Sequence, residues 1–329
     1  MEKYIHTLFN EKILIEASKY YDIQAQDLYM VGGFENYIYG FTKNNTDYIM
    51  RISHSSHRSL EQVEAELDFV NYLAENKANV SLPIKSINNR LVEKVNCLDG
   101  SYFTISVYHK VPGTRPTRDS LTDRFFINYG KTIGRFHQLT KTYQAKETKR
   151  YQWYEDPLFI NAHKYLDKND AIIHGKFMSL INKIKQYSTN SNNYGLIHTD
   201  IHMGNFFVKD DELCVFDFDD TSYMYFISDI AIALFYYVQG IQDTDKRNET
   251  ADKFMSLFME GYKSENHLNK EDFLTITDFL KLREMVLYIV FHRSSDLENE
   301  PYAKRYVDFY RERIINDIPF VDIDFNSYL

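Results

Sequence analysis

The stretch LIHTDIHMGNFFVKDDELCVFDFDDTSYMYFISD, residues Leu196–Asp229, decides the fold reading. It carries His198, Asp200, His202, Asn205, Asp217, Asp219, Asp220 and Asp229. Leu196-Ile197, Phe206–Val208 and Leu213–Phe216 are short apolar runs with polar turns between them, and they read as strands. Two of these strands flank a loop that presents Asp200 and Asn205. A second hairpin ends at Asp217. Strand-end carboxylates brought together in this way make a small anionic nest.

Such a nest suits phosphoryl transfer. A divalent cation must bridge the charge on the transferred group, and Mg²⁺ takes carboxylate and amide oxygens while keeping several waters. Asn205 and Asp217 supply those oxygens. A further carboxylate outside the metal shell can orient a hydroxyl and accept its proton, and Asp200 is placed for that role. His198 reads as a support of the loop rather than a proton carrier. His202 faces either solvent or substrate. A transition-metal reading of His198, Asp200 and His202 fails for want of further ligands.

Working outward, the N-terminal third is β-rich. Apolar runs at Leu28–Val31, Tyr37–Phe41, Tyr48–Ile52 and Phe103–Val107 are separated by turn residues, among them Gly32-Gly33 and Lys43–Asp47. From Ser59 to Glu75 the apolar residues Leu60, Val63, Leu67, Val70 and Ala74 follow a helical spacing. Three strands therefore precede a helix and two more follow it. The opening residues, MEKYIHTLFNEKILIEASKYY, read as an amphipathic helix. After Val111-Pro112-Gly113 the pattern turns helical, with helices expected over Leu121–Thr142, Ala171–Tyr187, Ile227–Val238 and from Ala251 to Asn316.

With these residues in place, the chain resembles the aminoglycoside phosphotransferase/choline kinase-like family. That family carries H-x-D-x-x-x-x-N followed by a metal motif, and His198, Asp200, Asn205 and Asp217 match it. Asp229-Ile230-Ala231 resembles the family's D-L-A at the start of a helix, where the Asp is structural and an N-cap role is expected. Val31–Tyr37 resembles the glycine turn, which makes Gly33 and Asn36 candidates for nucleotide contact. Tyr48–Ile52 resembles the third strand, with Arg51 where kinases generally have Lys; Arg also clamps phosphate. Glu66 is the expected partner of Arg51, in preference to Glu64.

The resemblance implies an α+β, bilobal protein-kinase-like fold. Its small N-terminal antiparallel-sheet lobe with one helix spans residues 1–108, and residues 109–113 form a hinge. A large, mainly helical lobe spans 114–329. It further implies an ATP- and Mg²⁺-dependent transfer of the γ-phosphoryl group to a hydroxyl of a small molecule, aminoglycoside- or amino-alcohol-like, from an inter-lobe cleft. Protein Ser/Thr kinase and homoserine-type kinase activities share the fold. The acceptor pocket is expected from residues 150–190 and 240–329. Asp296, Glu298, Glu300, Asp308, Glu312, Asp317, Asp322 and Asp324 offer carboxylates there, interleaved with Lys304, Arg305, Arg311 and Arg313 as on a solvated helix face.

Two rival readings are weaker. Asp217-Phe-Asp219-Asp-Thr221 matches the nucleophile motif of haloacid-dehalogenase-like phosphatases, in which the first Asp is phosphorylated. That motif expects a parallel sheet opening with this strand, and a long helical series follows instead. A catalytically inactive nucleotide-binding module is opposed by the presence of base, metal ligands and cation together.

Composition bounds the rest. The net charge of −9 argues against a nucleic-acid surface. The two cysteines, Cys97 and Cys214, form no disulfide framework. No run approaches the ~20 apolar residues of a membrane span. The N-terminus lacks the apolar run of a signal peptide. A cytoplasmic monomer or homodimer is expected.

Overall fold

The structure is a computed structural model that describes residues 3–146 and 149–329. The chain packs as two units. The first takes residues through Gly113 together with Tyr143–Arg150 and Cys214–Asp219, and the second takes Thr114–Thr142, Tyr151–Leu213 and Asp220–Leu329.

The first unit begins with helices α1 (Lys3–Leu8) and α2 (Glu11–Lys19). Strands β1 (Tyr29–Gly32), β2 (Tyr37–Lys43) and β3 (Thr46–His54) follow, then α3 (Leu60–Glu75), β4 (Pro83–Ile84), β5 (Val92–Asn96) and β6 (Tyr102–His109). All six strands form one antiparallel sheet in the order β1-β2-β3-β6. On the far side of β6, β4 pairs with Val107 and Tyr108 while β5 pairs with Tyr102–Ser106.

Strand alternation sorts the side chains. Met50, Ile52, Phe103, Ile105 and Val107 share one buried face with Ile5, Ile13, Ala17 and Tyr21 of the N-terminal segment. The alternate residues look the other way, where Val63 and Leu67 of α3 pack with Val92 and Tyr108. Arg51 lies between Met50 and Ile52, so the same alternation turns it toward α3.

Two features depart from the sequence reading. The single opening helix is two helices among the described residues, with Met1 and Glu2 lying outside them. Asn10 divides the two, its side-chain oxygen accepting from Lys12 N at 3.0 Å. Asn is a strong N-cap former, and it restarts the helix rather than continuing it. After α3 there are three strands, not two, because Pro83–Ile84 is too short to show any periodicity.

The second unit holds α4 (Asp123–Thr140), α5 (Pro157–Ile160), α6 (Ala162–Tyr165) and α7 (Ala171–Ile184). Next come β7 (Tyr194–Ile197), β8 (Phe206–Lys209), β9 (Glu212–Val215) and β10 (Ser222–Tyr225), with the end of β9 crossing into the first unit. Then follow α8 (Ile227–Val238), α9 (Thr244–Glu265), α10 (Lys270–Leu274), α11 (Ile276–Ser294) and α12 (Pro301–Ile315). The strands on either side of the loop do not pair with each other. β7 pairs antiparallel with β10, and β8 pairs with β9. Ser222–Tyr225 was not legible as a strand, since Ser-Tyr-Met-Tyr shows neither alternation nor a turn signal.

Helices α4 and α9 meet backbone to backbone. A Cβ on Gly130 would lie 1.8 Å from Phe258 O, and one on Gly261 would lie 1.8 Å from Ile127 O. Reciprocal small residues let the two helices approach where any side chain would hold them apart. This packing fixes α4, whose Tyr129 hydroxyl donates to Ile201 O at 2.7 Å and so supports the loop. Among the described residues, no helix is long and apolar enough to cross a membrane.

The glycine contacts give a paired expectation. Gly130→Ala should destabilise by about 1–3 kcal/mol through overpacking. Gly175→Ala, in the exposed middle of α7 with nothing within 4 Å of the new Cβ, should stabilise by roughly 0.5–1 kcal/mol. Urea unfolding midpoints of the two variants should move in opposite directions. Equal midpoints would show that α4 and α9 are not in this close contact.

Candidate active site

The loop after β7 is held in an unusual backbone shape. Thr199 has φ 62°, a left-handed conformation that a β-branched residue adopts only when its surroundings impose it. Asp229 imposes it. Its Oδ1 accepts from Thr199 N at 2.8 Å and its Oδ2 accepts from His198 N at 3.3 Å. The Thr199 hydroxyl donates to Asp220 O at 2.6 Å. Asp229 is 1% exposed, and its Oδ2 also lies 3.2 Å from His137 Nε2.

The sequence reading made Asp229 an N-cap. The structure corrects this: Phe226 occupies the cap position of α8, and Asp229 sits inside the first turn. Its carboxylate serves the neighbouring loop rather than its own helix, although the helix N-terminus still favours a negative charge there. His198, fully buried, offers Nδ1 to Asp200 N at 3.3 Å.

Asp200 follows the strained turn. Its side chain is 20% exposed, and both carboxylate oxygens are engaged. Asn205 Nδ2 donates to Asp200 Oδ2 at 3.1 Å and to Asp200 O at 2.9 Å. His202 Nε2 lies 3.4 Å from Oδ2. Arg283, from α11, donates through Nη2 to Asp200 Oδ1 and to the Tyr236 hydroxyl. Burial alone would raise the Asp200 carboxyl. The Arg283 guanidinium, then His202 and His198, reverse that effect and hold it well below the usual carboxylate range. Asp200 is therefore a carboxylate throughout the neutral range, able to accept a hydrogen bond.

In the first unit, Arg51 and Glu66 form a buried two-pronged pair. Nη1 donates to Oε1 at 2.8 Å and Nη2 to Oε2 at 2.7 Å. Arg51 is 4% exposed and Glu66 1%. Asp219 lies beside this pair. Its carboxylate is 2.5 Å from His57 Nε2 and 3.9 Å from Arg51 Nη1, and its main-chain oxygen accepts from Arg58 Nε at 3.0 Å and Arg150 Nη2 at 2.6 Å. Burial works against the charge on Asp219, but His57, Arg58 and Arg51 outweigh it and hold the carboxyl well below the usual range.

Asn36 donates through Nδ2 to Asp219 Oδ2 at 3.3 Å, which points its amide into this cluster. Gly33 has φ 136°, and a Cβ there would meet Asn36 O at 1.8 Å, so only glycine fits. Asp217 is exposed just beyond β9 with φ 64°.

The donor chemistry fits a hard divalent cation. Asn205 Nδ2 donates to Asp200 O and Oδ2, so its Oδ1 is turned away from Asp200; the Asp217 carboxylate of the first unit is, separately, also a hard oxygen donor. Mg²⁺ needs few protein ligands because it retains waters. Among the described residues no cluster of three or more His, Cys, Asp or Glu forms a cage for a softer metal. β7 and β10 pair antiparallel in a two-stranded sheet, β8 and β9 form another, and helices follow, so Asp217 and Asp219 lack the setting of the phosphatase motif.

The C-terminal carboxylates are mostly occupied locally. Asp317 meets Lys176 and Lys281, Asp308 meets Lys304, and Asp324 caps its own turn. Sequence reading missed two groups, the Asp219 cations and the Arg283–Tyr236 pair. A faint signal for the second was present: Arg283-Glu284 interrupts the otherwise apolar run Leu282–Phe291.

The phosphotransferase enzyme family matches residues 30–260. The chain is 31% identical to the amicoumacin kinase of Bacillus subtilis (strain 168) over 332 residues, covering 99% of this chain and 98% of that protein. The solved structure of amicoumacin kinase hAmiN in complex with AMP-PNP, Ca²⁺ and Ami matches with a TM-score of 0.94 at 31% identity, over 100% of both chains. A microcompartment-associated aminopropanol kinase matches with a TM-score of 0.74 at 18% identity, over 94% of this chain and 98% of that one, a likeness of fold. The chain belongs to the phosphotransferase enzyme family of aminoglycoside phosphotransferase/choline kinase-like proteins, and it is an ATP-dependent kinase of a small-molecule hydroxyl.

Proposed function

We propose that the acceptor is amicoumacin or a hydroxyl-bearing antibiotic of that kind. The observation that carries this reading is the similarity to amicoumacin kinases along the whole of both chains. The acidic groups around Asp317 and Asp308 are paired with lysines, so they lend no support to a strongly cationic acceptor such as an aminoglycoside.

The roles follow from the chemistry of the side chains. Asp200 accepts the hydrogen bond of the acceptor hydroxyl and takes its proton as the phosphoryl group transfers. Arg51, braced by Glu66, grips phosphate oxygens. The glycine turn at Gly33 brings main chain to the phosphates, and main chain near residues 109–113 meets the base. Asn205 and Asp217 would hold Mg²⁺, which when bound supplies charge neutralisation at the phosphates. Asp219 ties Asn36, His57, Arg58 and Arg51 together and so fixes the phosphate-gripping cation.

An ATP-consumption screen tests the acceptor. Amicoumacin should be turned over with Mg²⁺ and not with chelator, ahead of aminoglycosides, amino alcohols, homoserine and a protein substrate. Turnover of one of the others in preference would replace the acceptor reading.

Asp200→Ala should lower kcat by about 10²–10⁴-fold while calorimetry shows AMP-PNP binding unchanged. Asp217→Ala should instead weaken AMP-PNP binding in the presence of Mg²⁺. If Asp200→Ala turned over at the normal rate, Asp200 would not be the proton acceptor.

Asp219→Asn should cost about 3–5 kcal/mol at pH 7, because it leaves buried cations without their counter-charge. The sign with pH is fixed by the lowered carboxyl. Its stabilisation is complete above the ordinary carboxylate range near pH 4 and is lost as pH falls through the lower folded value. The gap between wild type and variant should therefore narrow in acid, as read from urea unfolding. A gap that widened on acidification would contradict the ionised assignment.

A further inference from the structure

We infer that Arg283 is a positioning residue for the phosphoryl transfer: it grips Asp200 Oδ1 from α11, opposite Asn205 on Oδ2, and so aims the proton-accepting carboxylate. The inference rests on the role proposed for Asp200.

Three observations support it. First, the side chain of Arg283 is only 13% exposed, and its Nε is buried with no hydrogen-bond partner among the described residues. A guanidinium in that state has been placed at a cost in solvation, which a purely structural surface pair would not require. Second, its Nη2 joins two side chains from different elements, Asp200 of the loop and Tyr236 of α8. The Arg283 guanidinium also lies 4.8 Å from the Tyr236 ring centroid, and the same ring packs against His202 at 4.3 Å between centroids. Arg283, Tyr236 and His202 thus form one continuous support for Asp200. Third, a carboxylate has two oxygens, and each here has a separate holder, Arg283 on one and Asn205 on the other. Two holders fix the plane of the carboxylate, whereas one would leave it free to rotate.

The chemical consequence is a division of labour. Asp200 near a guanidinium is a weak base, so its role is to direct the hydroxyl and receive the proton late, as phosphoryl transfer with a loose transition state allows. The charged and titratable groups facing Asp200 are Arg283 from α11, Tyr236 from α8, Tyr129 from α4, and His198 and His202 from its own loop. Asp220 faces Arg283 and Tyr236.

Three variants test this: Arg283→Met, which removes charge and fork; Arg283→Lys, which keeps charge alone; and Tyr236→Phe, which removes one hydroxyl. Two readouts are used. Calorimetry of AMP-PNP binding needs no acceptor. Steady-state kinetics with ATP and amicoumacin gives kcat and both KM values. Arg283→Met should lower kcat by roughly 10²-fold, the cost of a misplaced group, with AMP-PNP affinity and the KM for ATP unchanged. Arg283→Lys should restore only part of kcat. Tyr236→Phe should lower kcat by less than Arg283→Met.

A kcat per folded Arg283→Met molecule equal to wild type would overturn the inference, as would a loss of AMP-PNP affinity that matched the loss of kcat. If Arg283→Met does not fold, Arg283→Lys and Tyr236→Phe decide: wild-type kcat in both overturns the inference. If wild type transfers phosphate to none of the acceptors, the acceptor reading fails, and the rate of ATP hydrolysis to water by Arg283→Met against wild type decides the inference instead.

Discussion

A single buried carboxylate organises the loop after β7. Asp229 accepts the main-chain N–H groups of His198 and Thr199 and lies beside His137. Without those acceptors, a β-branched residue would not stay left-handed, a conformation that costs ~1–3 kcal/mol. The turn at Thr199 in turn decides where Asp200 points. The strain is held by α8, the most uniformly buried helix of its unit, so the shape of the loop is anchored on a closely packed helix.

The electrostatic pattern repeats in each unit. The chain as a whole is acidic, with a net charge of −9, yet the part-buried Asp200 and the buried Asp219 are each ringed by basic side chains. Asp200 has Arg283 and the two loop histidines, and Asp219 has His57, Arg58 and Arg51. Whole-chain charge therefore says little about the field at these groups. In a partly dry setting a nearby guanidinium outweighs many solvated surface charges.

The sequence carried the architecture well because its signals were periodic or clustered. Alternation placed β2, β3 and β6, and three-four spacing placed α3. The residues from His198 to Asp217 stood out by their chemical density. What stayed hidden came from distant parts of the chain. Arg283 reaches Asp200 across 83 positions and His57 reaches Asp219 across 162, and no local pattern encodes such a meeting. Asp229 was singled out as structural, but its role as a cap followed from helix rules alone. Only tertiary packing shows that the carboxylate turns toward a different element. Short strands such as β4 and β10 were invisible for a simpler reason, since two to four residues cannot display a period.

The composition of the first unit also bears on how the chain is made. Val215 N donates to Asn79 O at 3.0 Å, Ser81 N donates to Val215 O at 2.8 Å, and Arg150 donates to Gln62 O at 3.1 Å. These partners are synthesised long after the sheet they complete. At ~5–20 residues per second, a ribosome that has finished Gly113 needs on the order of ten seconds more to deliver Asp219. Until then Arg58 lacks the Asp219 main-chain oxygen it meets in the folded chain, and Arg51 has Glu66 alone, so maturation of the amino-terminal portion must await translation of the middle of the polypeptide.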